Sequence, residues 1–433
     1  MRCYLVGGAV RDALLGLKTK DYDYVVVGAT PAEMIRAGFL PVGKEFPVFI
    51  HPHTGAEYAL ARSERKVAKG YQGFRFYIGE DITLEQDLMR RDLTINAMAQ
   101  AIDSNGAIQA EVIDPYGGQN DLRNKILRHI SPAFTEDPVR ILRLARFAAR
   151  FNEFSIAPET HELMQKMVTS GEVDALVAER IWQELAKGLM ENHPAQMFSV
   201  LQSCGAMHRI LPELEAAWLH APLNIENAHT PINTHELPQC SAPLQSVENK
   251  ISSDNGPQHM QMLDRAAQTH ATLPMRFSIL MHLLHTESTP LQLAQQQRDQ
   301  LCKRLRVPKE CAELARLVMI SYPYIARIHS LNATAIIDLF QLCDLWRKPK
   351  RWEEILTVCL LIATQLTLIG GDKETLHFAT YMQKLQHAAC TVNIKEIAAH
   401  DTADHPSAIG EAVRKARIHA VSIVIDKEKK RIQ

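Results

Sequence analysis

Apolar positions along this chain of 433 residues follow two different periods, and the change falls near residue 129. Up to about residue 128 the apolar residues come in short runs rich in β-branched side chains. Examples are Cys3–Val6, Asp23–Val27, Val48–His51, Glu57–Ala61 and Thr94–Ala99. Short runs bounded by turn residues predict strands. Beyond residue 129 the apolar positions recur every three to four residues, and Arg140–Phe151, Glu159–Val168, Ala178–Met190 and Ala195–Cys204 predict amphipathic helices. The pattern predicts an α+β fold, a head with a small mixed β-sheet over residues 1–128 followed by an all-α remainder. The helical part divides into a neck over 129–215 and a body and tail over 263–433. Between them, 216–262 is rich in Asn, Ser, Pro, Gln and His, lacks apolar periodicity, and predicts a polar insertion or flexible loop.

Composition narrows this picture only slightly. The chain is 46% apolar and 22% charged, with a net charge of −1, so a nucleic-acid partner requires a local basic surface. The eight cysteines are scattered without a C-x-x-C pair, and most lie in apolar helical surroundings, which points to reduced thiols. The first residues read as a strand entering a turn, too short for a signal peptide. The apolar stretch Ile355–Ile369 is shorter than a membrane span and predicts a buried helix. A cytoplasmic location without a membrane partner is expected. Histidines 220, 229, 235 and 259 of the insertion lack metal-ligand spacing, and Lys427–Arg431 reads as a solvated basic tail.

Candidate chemistry concentrates in three places. In the first, a strand ends in Gly7-Gly8, a short helix carries Arg11, and the next strand carries Asp21 and Asp23 two residues apart. Side chains two apart on a strand share a face, and two adjacent carboxylates suit a hard cation such as Mg²⁺. Paired glycines let backbone N–H groups approach a phosphate. Glu57, on a neighbouring strand, is a candidate third carboxylate. In the second, Arg90-Arg91-Asp92 leads to Asn96, four residues from Asp92. Arg91 reads either as a contact to triphosphate or ribose or as half of a solvated basic pair. The acidic stretch Glu80–Asp87 before it is loop-like. In the third, Asp137-Pro138 opens a helix on which arginines 140, 143, 146 and 150 fall within an arc of roughly 120°. That helix contains no Asp or Glu, which favours an anion or nucleobase surface over a salt-bridged face.

Gly-Gly-x-Val-Arg-Asp, Asp-Tyr-Asp, Arg-Arg-Asp-Leu-Thr-Ile-Asn-Ala and Glu-Asp-Pro-x-Arg-x-x-Arg, in this order and spacing, resemble the bacterial tRNA nucleotidyltransferases that add the 3′-terminal CCA, within the wider poly(A) polymerase family. The similarity looks closest to the gammaproteobacterial type. It is dense over residues 1 to about 215 and sparser over 300–350, in Leu305–Pro308 and Asp344–Pro349. Val42–Phe49 also resembles the family. The resemblance implies a nucleotidyltransferase head, Mg²⁺ bound by catalytic Asp21 and Asp23, and ATP or CTP contacted by Gly8, Arg11, Arg91, Asp137, Arg140 and Arg143. Asp137 and Arg140 would read the base, and Glu184 and Arg180 match a helix that braces the pocket. The implied partner is the 3′ acceptor end of tRNA, with ATP and CTP as substrates.

Relatives of this type carry a His-Asp phosphohydrolase domain. Leu283 stands after His282 where a metal-binding Asp belongs, and Tyr322-Pro323 stands at the later His-Asp position. Leucine cannot ligate a metal, so hydrolase activity is expected to be absent. Lys44–Pro47 replaces a more basic Arg-Arg-Phe element found in poly(A) polymerases, which disfavours a poly(A) polymerase. Within the same family, a partial enzyme adding only A or only CC is the other alternative, and the acidic stretch before Arg90 argues against one adding only CC.

Overall fold

The computed structural model describes residues 1–19, 21–42, 48–66, 74–215, 260–285, 289–365, 371–400 and 406–432. Lys44–Pro47, histidines 220, 229, 235 and 259, Cys240 and nearly all of the polar insertion lie outside them. The chain forms two compact units, Met1–Pro212 and Glu213–Gln433.

In the first unit, β1 (Arg2–Val6), α1 (Gly8–Leu14), β2 (Asp23–Val27), α2 (Pro31–Arg36), β3 (Leu40–Val42), β4 (Val48–Ile50) and β5 (Glu57–Leu60) follow in order. A separate hairpin of β6 (Arg62–Lys66) and β7 (Phe74–Ile78) leads into α3 (Leu84–Met89). Then come β8 (Ala99–Ile102), β9 (Ile108–Ile113), α4 (Gly118–Arg123) and β10 (Ile126–Leu127). The seven-stranded sheet has the order β3-β4-β5-β2-β1-β8-β9, antiparallel except for the β2–β5 pair. Alternation sorts its side chains: Val6, Val25, Val27 and Ala99 enter one core, Val26, Phe49 and Leu60 another under α2.

Two expectations for the head are corrected. Thr94–Ala99 is not a strand: Thr94–Asn96 forms a single 3₁₀ turn before β8. The acidic stretch before Arg90 is not a loop throughout, because Thr83 and Gln86 form a reciprocal capping box that starts α3.

The neck helices form where their period places them, as α5 (Val139–Arg150), α6 (Pro158–Thr169, after β11, Ser155–Ile156), α7 (Ala178–Leu189), α8 (Pro194–Ser203) and α9 (Ala206–Ile210). The second unit is helical: α10 (Gln261–Gln268), α11 (Leu273–His282), α12 (Leu291–Arg304), α13 (Lys309–Ala326), α14 (Ala333–Leu342), α15 (Pro349–Gln365), α16 (Gly371–Cys390), α17 (Ile394–His400) and α18 (Pro406–Ile432). α15 is a core helix, burying Trp352, Ile355, Val358, Cys359 and Ile362. Among the described residues no helix is long and apolar enough to cross a membrane. Cys204, Cys311, Cys343 and Cys359 are buried free thiols. Lys427–Arg431 lies in the last turns of α18, with Lys427, Lys429, Lys430 and Arg431 exposed to solvent. Glu428 there is buried, with His377 Nε2 at 2.9 Å and Lys384 Nζ at 3.7 Å.

Candidate active site

Antiparallel pairing of β1 with β2 sets Val6 opposite Asp23. The chain leaves β1 at Gly7 with φ 70° and ψ −127°, a conformation that a Cβ disfavours. The space is also taken: a Cβ on Gly7 would lie 2.7 Å from Arg91 Nη1. Arg91 thus arches over the turn between β1 and α1, within the field of Asp23. Burial lowers the Arg91 guanidinium from its ordinary value, with Asp87 and Asp23 opposing that shift. Gly8 packs beneath the second arginine, its would-be Cβ 3.4 Å from Arg11 Nη2.

Asp21 and Asp23 are exposed, and Asp23 pairs in register with exposed Glu57 across the β2–β5 ladder. Among the described residues no three His, Cys, Asp or Glu side chains gather to hold a metal ion. Glu57 therefore lies beside the pair without completing a three-carboxylate cluster.

Arg90 and Arg91 do not form a solvated basic pair. Both reach Asp87, at 2.8 Å and 3.4 Å, and the Asp87 side chain is completely buried. Burial would push that carboxyl up, but the two guanidiniums outweigh it and hold it below its ordinary value. Arg11 also turns inward. Its Nε donates to Asp12 Oδ1 at 2.9 Å, its Nη1 donates to Asn96 Oδ1, and its Cζ lies 5.2 Å and 5.3 Å from the ring centroids of Phe147 and Phe151.

The arginine stripe of α5 is likewise engaged, which corrects its reading as an open anion surface. The partners come from other elements, where inspection of the helix alone could not find them. Arg140, 8% exposed, donates to the carbonyls of Ala133 (2.8 Å) and Arg90. Arg143 Nε donates to Asp92 Oδ2, Arg146 Nε to Glu184 Oε2, and Arg150 Nη2 to Asp12 Oδ2, each at 2.8 Å. Asp92 also accepts from Asn96 Nδ2 at 3.0 Å and from its neighbour's backbone N–H, Leu93, at 2.9 Å. Burial opposes ionisation of Asp92, yet Arg143, Asn96 and Arg140 together hold its carboxyl far below the usual range. Reciprocally, Asp92 raises Arg143 above its ordinary value. Glu184 approaches Arg143 at 4.0 Å, and Arg146 reaches Glu191 at 3.4 Å. The contacts make one continuous chain: Arg150, Asp12, Arg11, Asn96, Asp92, Arg143, Glu184, Arg146, Glu191. Four arginines and four carboxylates balance within it.

The Asp137 side chain meets Arg180. The guanidinium of Arg180 grips the carboxylate through two hydrogen bonds, Nη1 to Oδ1 at 2.9 Å and Nη2 to Oδ2 at 2.7 Å. Asp137 Oδ1 also accepts from Val139 N–H at 3.2 Å, so the cap and the ion pair coexist.

The structure thus brings together Gly8, Arg11, Asp23 and Arg91 at the turn after β1, and Arg140, Arg143 and Asp137 at the start of α5. Sequence reasoning misses Asp12, Asp87 and Phe147. Asp12 is visible in the Gly-Gly-x-Val-Arg-Asp motif, but its distant partner Arg150 is not.

A family model described as the poly A polymerase head domain matches residues 3–128, and one described as the probable RNA and SrmB-binding site of polymerase A matches residues 153–217. The multifunctional CCA protein of Cupriavidus metallidurans is 48% identical over 432 residues, covering 98% of each chain. Two solved structures share the fold over nearly the whole chain. The Thermotoga maritima CCA-adding enzyme complexed with tRNA aligns with a TM-score of 0.64 at 21% identity, covering 100% of this chain and 92% of its own. A CCA-adding enzyme in complex with ATP aligns with a TM-score of 0.63 at 22% identity, covering 99% and 89%.

Proposed function

The chain belongs to the multifunctional CCA protein family, and on that premise we propose that it is a CCA tRNA nucleotidyltransferase. It adds and repairs the 3′-terminal CCA of tRNA from CTP and ATP without a nucleic-acid template. The observation that carries this reading is identity of 48% over 98% of the chain to a protein named for CCA, on a chain where Asp23 and Arg91 lie at one glycine turn.

Asp23, the first residue of β2, and Asp21, two residues before it, fit Mg²⁺ as two exposed hard-oxygen donors, with Arg91 within the field of Asp23. Mg²⁺, when bound, would lower the pKa of the attacking hydroxyl and neutralise the triphosphate. The chain's own residues do the remaining work. Arg91 and the backbone at Gly8 hold phosphate oxygens of the nucleotide. Arg11 fixes the floor of that turn through Asp12 and Asn96, and Arg143 lies against the same floor through Asp92. The tRNA 3′-hydroxyl attacks the α-phosphorus, and pyrophosphate leaves. Asp137 and Arg140, at the start of α5, read the incoming base, with Arg180 and Glu184 on α7 behind them. The helices of the second unit take the acceptor arm by shape and phosphate. Such a reaction belongs in the cytoplasm, where tRNA is processed.

The test uses tRNA lacking CCA, ending in C, or ending in CC, with Mg²⁺ and labelled CTP and ATP. Products that stop at CCA are expected. The match of residues 3–128 to a poly A polymerase head keeps a poly(A) polymerase as the second reading, and long A tails would establish it. Asp21→Ala is expected to lower addition by at least about a thousandfold, on the scale of a lost catalytic metal contact, without changing the thermal midpoint. A variant that keeps full activity would refute the metal assignment.

A further inference from the structure

We infer that Arg180 is a positioning residue for base choice, which acts by holding the Asp137 carboxylate so that one acceptor direction remains open. The inference rests on the transferase reading above and goes beyond it, because it assigns discrimination between bases to the pair Asp137–Arg180.

The argument is a count of lone pairs. A carboxylate offers about four acceptor directions. Val139 N–H and the two N–H groups of Arg180 occupy three of them. A bidentate guanidinium also fixes the plane of the carboxylate, which a point charge would not. Arg180 and Asp137 side chains are about a quarter exposed, at 25% and 22%, so the pair borders solvent where a ligand can reach the remaining direction. Cytosine and adenine each carry an exocyclic amino group, a donor. Uracil and guanine carry a carbonyl oxygen in its place, an acceptor. A single acceptor held in one orientation accepts the first two bases and repels the last two. Arg140 does not set this orientation, since its guanidinium is turned to the carbonyls of Ala133 and Arg90. Arg180 sits in the first turn of α7, and Asp137 two residues before the start of α5. Packing of those helices therefore sets the position of the acceptor.

The test measures kcat/KM for each of CTP, ATP, UTP and GTP on tRNA lacking CCA and on tRNA ending in CC, for the wild type, Arg180→Gln and Arg180→Lys. With Arg180→Gln, addition of the correct nucleotide is expected to fall at least about tenfold while that of UTP and GTP falls little, so that discrimination drops by a similar factor. Arg180→Lys keeps the charge and loses the fork, and is expected to lie between. A residue that merely braces the helices would lower all four nucleotides together, with a lower thermal midpoint and an unchanged ratio; that outcome overturns the inference. If Arg180→Gln does not fold, the ratio is read from Arg180→Lys, and wild-type discrimination there overturns it equally. Failure of the wild type to add C or A at all would instead overturn the transferase reading.

Discussion

At the scale of single residues, the site is built from side chains whose apparent freedom is removed by distant partners. Gly7 is the clearest case. Its φ of 70° strains any other residue there, and a Cβ would lie 2.7 Å from Arg91 Nη1, so that Arg91 would have to shift. Gly7→Ala is expected to cost about 1–3 kcal/mol, the range for a non-glycine residue forced into such a conformation. Because the clashing atom ends a flexible side chain, Arg91 should move aside. The KM for nucleotide should then rise by more than the stability loss suggests. Denaturant unfolding and steady-state kinetics on the same variant check both parts. Unchanged KM with lowered stability would mean that Arg91 has no part in holding the nucleotide.

At the scale of elements, Asp92 joins the 3₁₀ turn Thr94–Asn96 to α5. It accepts from Asn96, from Leu93 N–H and from Arg143, which lies 51 residues further along the chain. Asp92→Asn keeps the shape and removes the charge. It is expected to cost about 1.5–3 kcal/mol, the range for a hydrogen bond to a charged group, since Arg143 is 36% exposed and can turn to solvent. The pH dependence has a definite sign. The folded carboxyl lies far below its unfolded value of about 3.9. Its contribution is therefore full above about pH 5 and is lost as pH falls through the acid range. The gap in unfolding free energy between wild type and Asp92→Asn should be constant near neutrality and close below about pH 4. A gap that widened on acidification would contradict the assignment.

The same element shows what the sequence can and cannot tell. The helical span of α5 is legible, because its apolar period is local. The engagement of its arginines is not, because Asp12 on α1, Asp92 in the bend after α3 and Glu184 on α7 lie elsewhere in the chain and no periodicity links them to α5. Thr94–Ala99 misleads for a related reason. Its apolar residues are buried in the head, but the backbone there turns in a 3₁₀ conformation, and a short apolar run does not distinguish the two. Asp23 and the glycine pair are legible since a strand, a turn and a strand place them by adjacency alone, whereas Asp21, expected on the same strand, lies just before it.

At the scale of the whole molecule, the second unit carries a buried polar remnant. His282 is 2% exposed, its ring centroid 4.5 Å from that of Tyr322, and Leu283 beside it is completely buried. Burial first, and His285 second, push the His282 imidazole down to about 3, so it stays neutral at physiological pH. We expect no hydrolysis of 2′,3′-cyclic nucleotides with added Ni²⁺ or Mn²⁺. Measurable turnover that is lost in His282→Ala would overturn this. The family's description as multifunctional would then hold for this chain in full; without turnover, it holds for the transferase half alone.

The balanced chain of charges from Arg150 to Glu191 also bears on how such proteins can be recombined. The matched head segment ends at residue 128 and the second matched segment begins at 153, so the interval between them invites a crossover for chimaeras. Yet Asp12 and Asp92 lie before that interval and their partners Arg150 and Arg143 within it. A hybrid spliced at residue 128 inherits Asp12 and Asp92 from one parent and their partners Arg150 and Arg143 from the other. Splicing should succeed only where both parents carry the same pairs, or where the crossover moves past α5 and the pairs travel together.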